Sequence, residues 1–569
     1  MDLTPLRLLR LLAPALAAAV LAQAVPVPVE PVAARGGVVV AGHPEAVAIG
    51  VEVLRAGGNA VDAAVAVSFA LGVAEPYASG PGGKIMLLHF DAAAGRTYAV
   101  DGMDEAAASV DPAEFRALPA DARRYGWKSV CVPGLPAALE LAHRRWGTRP
   151  WAELVRPSAD LAAAGFTVLP KTRDLFAERE ERLRADPELA RLYLPGGRLP
   201  EAGAKLANPD LARTLRAVAA EGAAAFYEGE TAQAIAAAAR PGGGYVTAAD
   251  FARYRARLAA PLEADWRGMR LAGGPPPTSG CALVLPVLLA LESGEPREEF
   301  RTAGNLAAFA RVWREVQPHV QRVVADAPGA REAAEALLAP EFVRGVRERA
   351  AAPIATQAAG LAAGFSADAE LESVHASTTH FVVVDAAGNV VSATQSLSLH
   401  FGAGVVAPGT GVVLNDSMSN FGTFDPAHPN FVAPGRRPRS TISPMILSRG
   451  GRAVLALGVP GAQRIPTAVA QVLLDRFARG RPLAEAIGDT RVHLVSPLGP
   501  DDPDNIFEVE ASLPSETEQA LVAAGWQVRR IEPAGRGRHF GGVNAVERNA
   551  DGTWTGFADP RRTNVAAGP

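Results

Sequence analysis

The 569-residue sequence predicts a mixed α/β (α+β) protein, built as one large unit or as two intertwined parts. Two observations predict this class. From about Trp151 to Ala350 the apolar residues recur mostly at helical spacing, broken at Pro241-Gly242-Gly243-Gly244 and at Pro275 to Gly280. After Thr378 short β-rich runs take over, at Phe381–Asp385, Val390–Thr394, Gly411–Leu414, Met445–Leu447 and Ala453–Leu457, before a helix over Ile465–Arg479.

In chain order, Met1 to Ala24 comes first. It carries Arg7 and Arg10, then an apolar stretch from Leu11 to Val20, then Ala22-Gln23-Ala24, the order of a secretory signal. The apolar run is too short to span a bilayer of about 30 Å as a helix, and Pro14 interrupts it. The expectation is export to the periplasm or beyond, with residues 1–24 removed and 25–36 left as an extended tail rich in proline. Val38-Val39-Val40 reads as a strand and Pro44 to Ala56 as a helix stopped by Gly57-Gly58. Asn59 caps a second helix, Ala60 to Leu71, and Glu75 to Gly83 is a turn-rich loop before the strand Ile85–Phe90. The polar, Ala/Gly-rich stretch between Ala350 and Ser373 reads as flexible.

Composition narrows the function classes. With 56 Lys+Arg against 60 Asp+Glu the formal charge is −4, which argues against a nucleic-acid or anionic-membrane surface. Two cysteines, Cys131 and Cys281, make neither a disulfide framework nor a Cys-rich metal site, and they read as buried thiols. The ten histidines show no paired helical spacing and no phosphate-cradling Gly-Lys-Ser/Thr motif occurs, so neither metal nor cofactor is expected.

The chemistry concentrates at His375-Ala376-Ser377-Thr378-Thr379-His380, which opens into a β-hairpin turning at Asp385 to Asn389. If the Ser377–Thr378 bond is cut, Thr378 becomes an N-terminal residue whose hydroxyl attacks a carbonyl. Its own α-amine, with a reference pKa of about 7.7–8.0, then takes the proton. Alone, such a run is usually a polar β-edge.

Several stretches taken together resemble the γ-glutamyltransferase family. Val39 to Val73, Glu75-Pro76, Val132-Pro133-Gly134, Phe226-Tyr227-Glu228-Gly229 and Pro275 to Gly280 are similar to its large chain. Ser377-Thr378-Thr379-His380, Gly402-Ala403-Gly404, Leu414-Asn415, Arg437-Pro438, Ser443-Pro444 and Pro460-Gly461 are similar to its small chain. The order is kept from about residue 37 onward. The resemblance implies an N-terminal-nucleophile hydrolase, a four-layer αββα sandwich made as a precursor that cuts itself at Ser377–Thr378. Residues 37–377 would form the large subunit and 378–569 the small one, joined as a heterodimer that acts on a small amide or peptide.

By the same resemblance Thr378 is the nucleophile, Ser396 the hydroxyl that supports it, and Gly461 and Ala462 the oxyanion turn. Ala462 stands for a glycine, which keeps the N–H provided that the position needs no positive φ. Ser440 and Thr441 keep two hydroxyls for the donor's α-carboxylate. Thr379 reads equally as a local hydrogen-bond partner or as strand decoration. Four contacts to an amino-acid head group have changed together: Met103 replaces an Arg, Asn420 an Asp, Ser398 an Asn and Ser417 a Gln. Each lost charge-assisted bond costs on the order of 2–5 kcal/mol in a desolvated pocket, so ordinary γ-glutamyl donors fit poorly. Lys84 reads either as a relocated cation for an acyl carboxylate or as a solvated loop lysine, and Arg439 as a second replacement anion binder. The short loop between Phe421 and Ser440 offers no lid, which favours hydrolysis over transfer. The expected function is an exported hydrolase or transferase of γ-glutamyl or related amides such as glutathione. The rivals are a glutaryl- or cephalosporin-type acylase and an uncleaved, non-catalytic binding or scaffold protein.

Overall fold

The computed structural model describes residues 29–292, 300–351, 376–422, 425–495, 504–531 and 537–569. The signal segment and most of the stretch expected to be flexible before Ser377 lie outside them.

Two seven-stranded antiparallel sheets dominate. The first runs Val565–Ala567, Gly37–Ala41, Ala376–Asp385, Val390–Leu399, Lys84–Asp91, Arg96–Gly102, Arg257–Ala259. The second runs Pro31–Ala34, Trp554–Ala558, Asn544–Arg548, Arg452–Gly458, Met445–Arg449, Met269–Gly273, Leu262–Trp266. The two-residue pleat explains why both faces of the first sheet are apolar. Val38, Val40, Met86, Leu88, Val382 and Val384 share one core with Met445, Leu447, Leu455 and Leu457 of the second sheet. The alternate residues Val39, Ala41, Ile85, Leu87, Phe381 and Val383 share the other core with the helices Pro44–Arg55 and Ala60–Ala74. Helices Gly280–Leu291 and Arg464–Leu473 close the far side of the second sheet. The layers are therefore helix, sheet, sheet, helix.

Helix Ala60–Ala74 is buried at every residue, which its uniformly apolar sequence permits. Asn59 starts it through a reciprocal capping box with Asp62. The hairpin forms as expected, and the register of its first strand slips between Ser377 and Thr379. Such bulges re-aim a side chain, here at the proposed nucleophile.

Three expectations are corrected. Gly411–Leu414 is not a strand; only an isolated bridge, Val406 to Val413, forms there. Gly411 takes a positive φ of 65° and its carbonyl accepts from Asn208 while that of Thr410 accepts from Thr214, so the backbone bonds to side chains instead of to a neighbouring strand. The helix from Arg464 ends at Leu473 and continues only as a wider π turn over Leu474–Ala478. The N-terminal tail is not merely extended: Pro31–Ala34 pairs with Trp554–Ala558 as the edge of the second sheet. Both cysteines are free and buried, as read, and burial pushes the Cys281 thiol up to about 12.

Candidate active site

Thr378 and Ser396 face each other across the hairpin. Their hydroxyl oxygens are 3.1 Å apart. The Ser396 hydroxyl also donates to the carbonyl oxygen of Ser377, the bond expected to be cut, and accepts from the backbone N–H of Ser398 at 2.9 Å. One hydroxyl has a single proton to give and two lone pairs, so Ser396 donates to the carbonyl and accepts from Thr378. It thus polarises the Ser377 carbonyl and touches the Thr378 hydroxyl oxygen at once.

The surroundings are fixed by buried groups. The Ser377 hydroxyl donates to the Tyr77 carbonyl, and Arg562 donates to the Thr378 carbonyl at 3.3 Å. The Glu75 carboxylate accepts from the Tyr77 hydroxyl at 2.8 Å and from Lys171 at 3.1 Å, and also bonds the Thr379 hydroxyl. Burial alone would raise the Glu75 acid, yet Lys171 and these hydroxyls outweigh it and hold it down at about 2. Buried His380 is neutral: desolvation lowers it to about 3, and its Nδ1 meets the Thr394 hydroxyl at 2.8 Å.

The turn after strand Arg452–Gly458 sits at the same end, since Gly458 packs closely against the His380 ring. Gly461 has φ 148° and Ala462 φ 53°. The expectation that Ala462 could avoid positive φ is thereby corrected. The carbonyl of Gly461 accepts from the N–H of Arg464, and that of Ala462 from Ile465 and from the Thr441 hydroxyl at 3.0 Å. Among the described residues neither N–H of this pair donates to another group, which leaves two donors for an oxyanion. Ser440 lies beside it, with its carbonyl held by the Ser279 N–H at 2.7 Å.

The altered head-group positions converge on one lysine. Lys84 is 1 % exposed and pairs in register with Ser396. Its ammonium donates to the Ser398 hydroxyl and, at 2.7 Å, to that of Ser417. Asn420 donates to Ser398 at 3.2 Å. Asp104, 3.8 Å from Lys84 Nζ, accepts from Ser417 at 2.5 Å and from the Gly134 N–H at 3.3 Å. Burial raises the Asp104 acid to about 7, with Lys84 and Ser417 pulling against it. The solvated-loop reading of Lys84 is overturned, because its stem runs inward from a central strand. Met103 lies elsewhere in character, fully buried in the apolar core between the sheets, its amide and carbonyl held by Asp101 and Tyr254. The Arg439 guanidinium donates to the Gln321 carbonyl at 2.7 Å, and its backbone N–H donates to Asn430, whose amide in turn donates to the Asn420 carbonyl. Arg437 is structural, buried against Asp101 at 2.8 Å.

A family pattern described as Gamma-glutamyltranspeptidase matches residues 46–569. The chain belongs to that family of enzymes. It is 35 % identical to an "Acylase ACY 1 proenzyme" of Pseudomonas sp. (strain SE83), over 93 % of each chain. It is 33 % identical to a "Glutathione hydrolase proenzyme" of Pseudomonas sp. (strain A14), over 81 % of this chain and 82 % of that one. Among solved structures, a cephalosporin acylase from Bacillus halodurans superposes with a TM-score of 0.83 at 27 % identity, covering 95 % of this chain and 97 % of that one. Family membership and this superposition agree with the four-layer architecture above.

Sequence reasoning missed Asp104, Glu75 and Arg562 as parts of the site. Glu75 lay inside a matching motif and Asp104 directly after Met103, but their facing partners are up to 313 positions away, as Ser417 is from Asp104. No local signal marks such a pair.

Proposed function

We propose that the chain is an exported, self-processing amidohydrolase that cuts itself at Ser377–Thr378 and then works through an acyl-enzyme on Thr378. The observation that carries this reading is the Ser396 hydroxyl, which donates to the Ser377 carbonyl and contacts the Thr378 oxygen at 3.1 Å. In the precursor, Thr378 Oγ1 attacks the Ser377 carbonyl carbon, the amide becomes an ester, and water releases a free Thr378 amine and a Ser377 carboxylate. In the mature enzyme that amine takes the hydroxyl proton as Oγ1 attacks the donor amide, the Gly461 and Ala462 N–H groups receive the oxyanion, and the amine returns the proton to the leaving nitrogen. Water then hydrolyses the acyl-enzyme. Residues 1–24 would direct export to the periplasm or beyond, and the two products, ending at Ser377 and beginning at Thr378, would remain together as a heterodimer.

The donor on this reading is a γ-glutamyl or related acyl amide, glutathione included. The acylase reading is favoured within it by Asn420, which offers an amide where an amine-binding site calls for a carboxylate, and by the relatives named acylases. A denaturing gel with N-terminal sequencing tests the core of the proposal. Wild-type protein should give two bands, the smaller beginning at Thr378, and Thr378→Ala one inactive band. A wild type that stays whole and still hydrolyses amides would defeat it, since an internal threonine has no free amine.

A further inference from the structure

We propose that Lys84 determines specificity at this site: its buried ammonium stands where an amine on the acyl group would have to lie, so the preferred acyl group ends in a carboxylate and carries no α-amine. This rests on the amidohydrolase reading. Lys84 pairs with Ser396 across the sheet, and Ser398, its hydrogen-bond partner, donates its own N–H to the Ser396 hydroxyl. An acyl chain whose carbonyl sits at Thr378 therefore extends toward the Lys84 cluster. The floor of that cluster, Lys84, Ser417 and Asp104, is buried, whereas Ser398 and Asn420 are partly exposed and form its rim.

The donor inventory favours an anion. An ammonium has three N–H groups. Two of them reach Ser398 and Ser417, while Asp104 at 3.8 Å is beyond hydrogen-bond distance of the third. The Asn420 amide adds N–H donors at the rim. Ser417 stands between the Asp104 carboxyl and the lysine, donating to that acid, whose raised pKa leaves it partly protonated near neutral pH. A carboxylate entering over the rim meets convergent donors and the Lys84 charge, while the second buried acid coupled to that lysine, Asp416, is engaged by the Leu399 N–H and the Ser419 hydroxyl. A second ammonium meets like charge in a desolvated setting. Ser398 holds φ 78°, an uncommon conformation outside glycine, and this turns its hydroxyl onto the lysine.

The test compares kcat/KM for glutaryl and γ-glutamyl p-nitroanilides in wild type, Lys84→Met and the double variant Lys84→Met with Asp104→Asn. The double variant also removes the Asp104 charge that the single one would leave without its ion-pair partner, and so guards against misfolding of the single one. Wild type should favour the glutaryl donor, and removal of Lys84 should shift the ratio at least 10-fold toward the γ-glutamyl donor. Preference for the γ-glutamyl donor in wild type, or an unchanged ratio in variants that still process themselves, overturns the proposal. Thermal unfolding with added glutarate or L-glutamate separates this from the function itself. Protein stabilised by glutarate through Lys84 but inert on both anilides would retain the proposal and refute the hydrolase reading; equal stabilisation by both acids would refute the proposal.

Discussion

At the scale of single residues, the site depends on hydroxyls that each serve several partners. Ser396→Ala removes the donor to the Ser377 carbonyl and leaves that oxygen unpaired, a loss of about 1–3 kcal/mol. Self-cutting should slow roughly 10- to 100-fold, read as the half-time of the single band, while Ser396→Thr should restore most of the rate. Glu75 carries an acid-stability signature. Its folded-state pKa, about 2, is depressed below the ordinary 4.5, so its contribution is full above pH 5 and is lost as the pH falls toward 2. That contribution is on the order of 3 kcal/mol, and Glu75→Gln should flatten the acid limb of a stability–pH curve by that order. Asp104 has the opposite sign. Its raised pKa means the folded state holds the proton more tightly between about pH 4 and 7, so stability falls as the pH rises through that window.

At the scale of elements, the Gly461-Ala462 turn and the hairpin show what the sequence reveals and what it hides. The hairpin was legible because β-branched runs flank an Asp-to-Asn turn with a glycine in it, and local rules govern such units. Thr378, Ser396 and Gly461 were legible only as parts of an ordered set of motifs. The inward course of Lys84 was not, because a lysine after two glycines reads as a loop until its strand is known to pair with Ser396. Nor was the conformation of Ala462, since φ 53° is imposed by the turn around it rather than by its own side chain. Gly411–Leu414 misled for a related reason: its β-branched pair sits in a loop whose backbone bonds to helix side chains. Ala462 yields a prediction of its own. A non-glycine residue in the left-handed region costs about 1–2 kcal/mol, while glycine costs about 0.4–1 kcal/mol through the unfolded chain. Ala462→Gly should therefore raise stability by up to about 1 kcal/mol in denaturant melts and keep activity, because the N–H remains. A loss of stability would show that the turn is not strained.

At the scale of the whole molecule, strands from both sides of residue 378 share each sheet. Gly37–Ala41 lies between Val565–Ala567 and Ala376–Asp385, and Val390–Leu399 pairs with Lys84–Asp91. Cutting one peptide bond leaves every one of these ladders intact. The two products should co-elute as one species in native size-exclusion chromatography, part only in denaturant, and unfold in a single transition; fragments that separate under native conditions would contradict the interleaved sheets. The same interleaving sets a clock on biogenesis. Arg562 reaches the Thr378 carbonyl, Thr563 bonds the Gly42 carbonyl, and Val565–Ala567 completes the sheet that holds Thr378. The peptide bond proposed to be cut is made nearly two hundred residues before these supports exist. On the proposed mechanism, a nascent chain would carry Thr378 unarmed until translation has passed residue 567, so that an exported precursor would arrive intact and cut itself only once these supports are in place.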